Sequence, residues 1–390
     1  MAVFLTRVRL RNYRSIESCD LRLGPLTFLV GPNGSGKSNF LDALRLVADS
    51  LRNSLDHALR ERGGIQEVRR RSSGHPTHFG IRLDFQLRDE TTGHYGFEVG
   101  ARPRGEFVVK REECVVGTHA FEVNEGIVKA RAGEVLPPAV ADRLYLVNAA
   151  GLPQFRPVFD ALSHMGFYNV NPERIRALQP PDTGELLRRD GGNLASVIAR
   201  LDPRVKERVT EYLTRVVPGI VGFEHKRIGH METIELRQIV QGSPDAWRFP
   251  AINMSDGTLR ALAILVALFQ SGSDPRVPLV GLEEPETALH PAAAGVLRDC
   301  IVEASRTVQI LVTSHSADLL DDHDLPHEVI RAVEATGGRT EIAPIDEASR
   351  SVLRDRLYTA GELLRSGQLA PDRSAIPSGT QLRLFGEDPA

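Results

Sequence analysis

Apolar and polar positions alternate with period two over residues 4–10, and a short unbroken apolar run follows at 26–30. Both patterns read as strands. Beyond them, residues 39–48 carry apolar side chains at helical spacing, while the glycine- and arginine-rich stretches at 60–64 and 69–74 read as loop. From 78 to about 132 the pattern changes to short strands at 79–85, 96–99, 107–110 and 121–123. Polar and glycine-containing breaks separate them, which predicts hairpins of an antiparallel sheet. Between 155 and 215 the chain turns helical, with the period clearest at 193–201 and 204–216, and 219–240 reads as a further hairpin. Residues 259–270 are apolar on nearly every face, as a buried helix is. Two apolar strands, 277–282 and 308–312, flank a helix at about 291–305. Strands alternating with helices predict an α/β fold with a mostly parallel core sheet and βαβ crossovers.

This pattern divides the chain. Residues 1–60 and 245–350 are expected to form one split core, 76–147 an antiparallel β subdomain, and 150–244 a helical lobe. A closing segment and loose tail, 351–390, would complete it. The tail is rich in Pro, Gly, Ser and Asp, although 381–385 (Gln-Leu-Arg-Leu-Phe) has the look of a docking strip. No sustained heptads and no internal repeat occur.

Composition changes this picture little. The 390 residues are 41% hydrophobic and 25% charged, ordinary for a globular protein. No apolar run approaches the roughly 20 residues needed to cross a bilayer, and the first residues lack the long apolar region of a signal peptide. Three widely spaced cysteines, Cys19, Cys114 and Cys300, match no metal pattern and suit a reducing cytosol. A cytoplasmic protein with no membrane partner is expected. The net charge of −3 gives no global attraction to nucleic acid, so any DNA contact must come from a local basic patch.

The candidate chemistry begins at residues 31–38, Gly-Pro-Asn-Gly-Ser-Gly-Lys-Ser, which fit the P-loop pattern in full between a strand and a helix. Gly31, Asn33, Gly34, Ser35, Gly36 and Asn39 belong to a backbone cradle whose N–H groups and helix N-terminus favour phosphate. Lys37 is placed to reach the β- and γ-phosphates of a nucleoside triphosphate, and Ser38 to offer its hydroxyl to Mg²⁺.

The apolar strand at 277–282 ends in Glu283-Glu284-Pro285-Glu286. Carboxylates there are costly to bury without a cation or donors. Beside a P-loop, Glu283 is expected to hold the Mg²⁺ shell, directly or through water, and Glu284 to act as general base on the attacking water. The segment 253–260, Asn-Met-Ser-Asp-Gly-Thr-Leu-Arg, places Ser255 as an N-cap and Gly257 in a turn before the buried helix. It reads either as a plain cap or as an anion site. His315 stands at the carboxyl end of the 308–312 strand, the edge where open parallel sheets bind ligands. Arg14 and His290 are lesser candidates; Arg14 would meet phosphate or face solvent, and His290 would cross a dimer seam or lead into the helix that Pro291 starts.

Taken in order, residues 11–16, 31–39, 254–260, 283–291 and 313–316 resemble the ABC-type ATPase class that includes SMC, RecF, OLD and PtuA proteins, and in particular its compact bacterial AAA family members. Residues 190–195 and 361–367 also look familiar from that group. The resemblance implies an ABC-ATPase head, with ATP and Mg²⁺ as cofactors. Residues 254–258 stand where the signature motif lies, so Ser255 and Gly257 would meet the γ-phosphate held by a second copy. His315 would be the switch histidine, and residues 288–290 would lie in the D-loop. The partner implied is a second copy, as a homodimer or higher oligomer closed around two ATP molecules. Asp256 replaces the first signature glycine and Glu283 the usual Asp, which suits the RecF/OLD side of the class. The Q-loop is sought in residues 168–179. Asp318, Asp321, Asp322 and Asp324 are expected to form a solvated loop rather than the metal triad of a nuclease domain.

Two functions remain open. The first is an ATP-hydrolysing switch in a DNA-linked process, anti-phage defence or repair, using basic strips at 69–71, 188–189, 204–208 and 226–227. The second is an ATP-dependent scaffold or sensor that holds a separately encoded effector such as a nuclease. A transporter subunit is a distant third.

Overall fold

A computed structural model describes residues 4–72, 76–130, 138–140, 142–270, 277–377 and 382–386. Three strands, β1 (Leu5–Tyr13), β2 (Ile16–Arg22) and β3 (Leu26–Val30), precede the P-loop. A meander follows: β4 (His78–Gln86), β5 (Thr92–Ala101), β6 (Phe107–Val116), β7 (His119–Asn124) and β8 (Ile127–Ala130). Further along come β9 (Gly166–Tyr168), then β10 (Ile220–Ile228), β11 (Met231–Ile239) and β12 (Ala246–Pro250). The last four are β13 (Leu279–Glu283), β14 (Gln309–Ser314), β15 (Ile330–Thr336) and β16 (Arg339–Pro344).

The core sheet runs β16-β15-β3-β14-β13-β9. Its members are parallel except β16, which pairs antiparallel with β15. Every residue of β3 and of β14 is buried, because both faces of the sheet are covered. On one face Leu29, Leu311 and Leu279 pack with Phe40, Leu41 and Leu44 of the P-loop helix, Lys37–Arg52. On the other, Phe28, Val30, Ile310, Val312, Val280 and Leu282 pack with the apolar helix Asp256–Phe269.

The antiparallel sheet has seven strands in the order β2-β1-β4-β5-β6-β7-β8. Two of them therefore come from the segment before the P-loop, and β1 is its bridge to the meander. The lobe mixes short helices, Pro172–Arg176, Leu194–Arg200 and Pro203–Val216, with the three-stranded sheet β10-β11-β12. β2 and the β15–β16 hairpin do not stand out in the sequence pattern. Yet Gly337 and Gly338, both at positive φ, form the two-residue turn that a hairpin needs.

The docking strip in the tail finds its surface within the chain. Leu382 and Leu384 are buried, and a Cβ on Gly80 of β4 would lie 2.2 Å from Leu384 Cδ1. Arg82 donates to the Leu384 carbonyl at 3.1 Å, and the Arg111 guanidinium stacks over Phe385 at 4.4 Å. Gln381 lies outside the described residues.

The P-loop helix is tied to the antiparallel sheet through Asp42. This carboxylate, 7% exposed, accepts from Tyr13 Oη at 2.8 Å, Arg45 at 2.7 Å and Arg62 at 3.0 Å, and pairs with Arg14 at 2.9 Å. Burial pushes the Asp42 carboxyl up, but Arg62, Arg45 and Arg14, with the Tyr13 hydroxyl, outweigh it and hold it below the ordinary range. Asp42→Asn removes the carboxylate that Arg14, Arg45 and Arg62 share, leaving Asp49 to meet only Arg62 and Arg45. It is expected to cost about 3–5 kcal/mol in denaturant unfolding at neutral pH, as breaking a buried pair does. Because the folded carboxyl titrates below its unfolded value, the gap between wild type and variant should close as pH falls through the folded value. A gap that does not change with pH would contradict the assignment.

Candidate functional site

Three parallel strands deliver the candidate residues to one edge. β3 and β14 are in register at Val30 and Ser314, and β13 and β14 at Glu283 and Thr313. The P-loop, the acidic turn and the His315 segment thus leave the carboxyl ends of adjacent strands, where such sheets bind ligands.

The P-loop is braced from behind. A Cβ on Gly31 would lie 2.0 Å from the Val333 carbonyl of β15. Gly36 sits at φ 100°, and a Cβ there would lie 2.0 Å from Thr340 Oγ1 of β16. Only glycine fits either place. Thr340 Oγ1 donates to the Ser35 carbonyl at 2.9 Å and meets Ser15 Oγ at 2.7 Å, and Ser15 Oγ accepts from Asn39 at 2.6 Å. Gly34 has nothing within 4 Å of a Cβ, and the Ser35 hydroxyl, buried beside Gly31, has no hydrogen-bond partner. Such a cradle, with an orphaned polar atom in it, fits a phosphate chain. Lys37 Nζ donates to the Gly31 and Pro32 carbonyls at 2.8 and 2.9 Å. Burial lowers the pKa of this amine, while Glu284 and Glu286 pull it partly back. Asn33, Gly34 and Ser38 are exposed.

Glu284 takes φ 44°, a left-handed conformation uncommon for a non-glycine residue. Its N–H donates to the Thr313 carbonyl at 3.0 Å, and its Oε1 lies 3.2 Å from His315 Nδ1. Both side chains remain partly exposed, at 34% and 40%. Glu286 accepts from Ser314 Oγ at 2.6 Å. Glu283, 14% exposed, accepts from Asn169 at 3.1 Å and from Arg189 at 2.8 Å. Its carboxylate and the Ser38 hydroxyl are the hard oxygen donors that suit Mg²⁺.

Ser255 caps the apolar helix, accepting from Thr258 N at 3.2 Å, and is exposed. Gly257 is packed under the acidic turn: a Cβ on it would lie 2.7 Å from the Ala288 carbonyl. Arg176 holds this segment by donating to the Met254 carbonyl at 3.1 Å and to Asp256 at 2.5 Å. His290 is exposed and caps the turn at Pro291–Ala293. Arg14 is drawn to Asp42 instead of standing free.

The sequence pattern does not single out Ser15 or Thr340 as braces, and it offers Arg189 only as part of a basic strip and Asn169 only within the Q-loop stretch, not as partners of Glu283. Asn169 follows β9 directly and lies within residues 168–179, the expected place of the Q-loop. Thr340 carries no motif; only its contact reveals it. The four aspartates after β14 are partnered by arginines: Asp318 and Asp321 by Arg365, Asp322 by Arg298, and Asp324 by Arg356. Among the described residues no cluster of His, Cys, Asp and Glu could hold a metal ion by itself. None of the described helices is long and apolar enough to cross a membrane.

Fold and site together define an α/β ABC-type ATPase head of the SMC/RecF/OLD-like class. The chain belongs to the family described as "AAA domain, putative AbiEii toxin, Type IV TA system", whose model matches residues 26–115 and 154–322. It is 23% identical over 355 residues to the Old nuclease of Escherichia phage P2, covering 82% of this chain and 58% of that protein. The chain thus spans little more than half the length of that relative. It is 47% identical over 62 residues to the DNA replication and repair protein RecF of Magnetococcus marinus, or 15% of this chain and 16% of RecF. Among solved structures, an Smc head bound to the C-winged helix domain of ScpA superposes with TM-score 0.58 at 14% identity, covering 89% of this chain and 99% of that one. An Smc head with an extended coiled coil, from a Pyrococcus furiosus complex, gives 0.58 at 12%, covering 91% and 99%. At these identities the likeness concerns the fold.

Thr340→Val keeps the shape of the brace but removes its hydrogen bonds to Ser35 and Ser15. Losing about 1–2 kcal/mol of loop organisation should weaken nucleotide binding about five- to thirtyfold. Titration with a fluorescent ATP analogue measures this, and unchanged affinity would show that the loop holds itself.

Proposed function

We propose that the chain is a Mg²⁺-dependent ATPase whose heads close in pairs around two ATP molecules. The observation that carries this reading is the 3.2 Å contact between His315 and Glu284 at the sheet edge that also bears the P-loop. Glu284 is the general base for water, and His315 orients that carboxylate and donates toward the γ-phosphate. Lys37 and the cradle from Gly31 to Asn39 bind the phosphates, and Ser38 with Glu283 would hold the metal. A Mg²⁺ ion held there would supply neutralisation of phosphate charge. Ser255 and Gly257 complete the site of a second copy, a role that the exposure of Ser255 supports. Arg14, held by Asp42, braces the turn beside the P-loop and is available to phosphate only if that pair opens.

The process served is proposed to be DNA-linked, defence or repair; the likeness to a DNA replication and repair protein supports the DNA link. A second reading, an ATP switch for a separately encoded effector such as a nuclease, draws on a specific observation. The basic strips spend much of their charge internally. Arg70 is buried, Arg71 pairs with Glu67, Arg188 with Asp182, and Arg189 with Glu283. Arg208 pairs with Glu303, Lys226 with Glu235, and Arg227 with Glu232.

Glu284→Gln should keep ATP binding, lower turnover about a hundredfold or more, and accumulate a dimer visible by light scattering; unchanged turnover would overturn the catalytic assignment. Duplex DNA at low salt separates the two settings. Binding that weakens steeply with salt, together with stimulated ATPase activity, supports the first. If neither appears, the effector reading stands.

A further inference from the structure

The turn at residues 188–193 joins the lobe to the acidic strand. Its backbone is pinned: the Arg189 carbonyl accepts from Asn169 N at 3.0 Å and the Asp190 carbonyl from Asn171 N at 3.1 Å. Fully buried Asn193 accepts from Arg188 N at 2.8 Å and donates to the Leu186 carbonyl at 2.9 Å and to Asp182 at 3.1 Å. Gly191, at φ 80°, lets the turn lie against Ile175, whose Cγ1 would be 2.9 Å from a Cβ there. Ile175 sits in Pro172–Arg176, the helix whose Arg176 grips Met254 and Asp256 beside Ser255. A continuous path of short contacts therefore runs from Ser255 to Arg189. At its end the guanidinium bonds Glu283 Oε1 at 2.8 Å, while Asn169 takes Oε2 at 3.1 Å.

We propose that Arg189 is an electrostatic latch, a positioning residue that competes with the divalent cation for Glu283 and, through the lobe's Ile175 and Arg176, restrains the Ser255 segment. This rests on the reading of Glu283 as the metal-facing carboxylate. Both its oxygens are engaged, and Mg²⁺ demands a close oxygen shell with little tolerance of geometry. A guanidinium on the same carboxylate as a dication is repelled by it. Arg189 is already 43% exposed, so it can leave toward water. Metal arrival then frees the turn, and the path through Ile175 and Arg176 conveys that release toward Ser255. The apparent Mg²⁺ affinity is reduced by the closed fraction, so removing the latch should raise it.

The test uses the full chain and a fluorescent non-hydrolysable ATP analogue, titrated with Mg²⁺, alongside hydrogen exchange of residues 186–194. In the wild type, Mg²⁺ with the analogue should raise exchange in that turn. In Arg189→Gln, exchange should be raised without metal, and half-saturating Mg²⁺ should fall about two- to fivefold, the worth of a partly exposed pair. Glu283→Gln should also raise exchange without metal but should raise half-saturating Mg²⁺. Should half-saturating Mg²⁺ stay constant or rise in Arg189→Gln, while the wild type responds to Mg²⁺, the latch alone is overturned. Were the wild type to bind the analogue equally with and without Mg²⁺, the metal-site reading would fall, and the latch with it.

Discussion

Everything at the site depends on the burial of one five-residue strand. β3 lies between β14 and β15, with all five side chains out of water. Its neighbours run parallel to it, and the last residue of β14, Ser314, comes out level with Val30, as does Ala332 of β15. That alignment places the P-loop, Glu284 and His315 within reach of one another, although nearly three hundred residues of sequence separate the first from the last. The site is a consequence of sheet register before it is one of side-chain chemistry.

The β15–β16 hairpin turns that register into a rigid cradle. Val333 and Thr340 fill the space behind Gly31 and Gly36, so the loop cannot relax backwards when no ligand is bound. A preformed loop has less ordering entropy to lose on binding. Glu284 shows the opposite use of backbone: its left-handed conformation turns the carboxylate back toward His315, held by the Thr313 carbonyl. Rigid phosphate cradle and strained acidic turn stand side by side.

Much of this was legible in advance. The P-loop pattern, the two apolar strands ending in Glu283 and His315, and the Ser255 cap announce themselves because each is a local device with a fixed spacing. The helices at Pro203–Val216 and Asp256–Phe269 and the hairpin β10–β11 follow from periodicity alone. The partners of those devices were not legible. Thr340, Asn169 and Arg189 have ordinary local surroundings, and each acquires meaning only from a residue far away in the chain. The basic strips show the same limit, because a run of arginines in sequence does not show the carboxylates that meet it in space.

The sequence by itself determined that the chain is an α/β head of this ATPase class with a phosphate-binding loop, since backbone propensity and motif spacing act over a few residues. Only the tertiary structure decided that β1 and β2 belong to the antiparallel sheet, that the tail strip lies on β4 and β6, and that Glu283 is held by Arg189. Sheet partners, docking surfaces and ion pairs depend on which distant segments share a boundary once the apolar strands are buried. That boundary is set by packing the whole core, not by any window of the sequence.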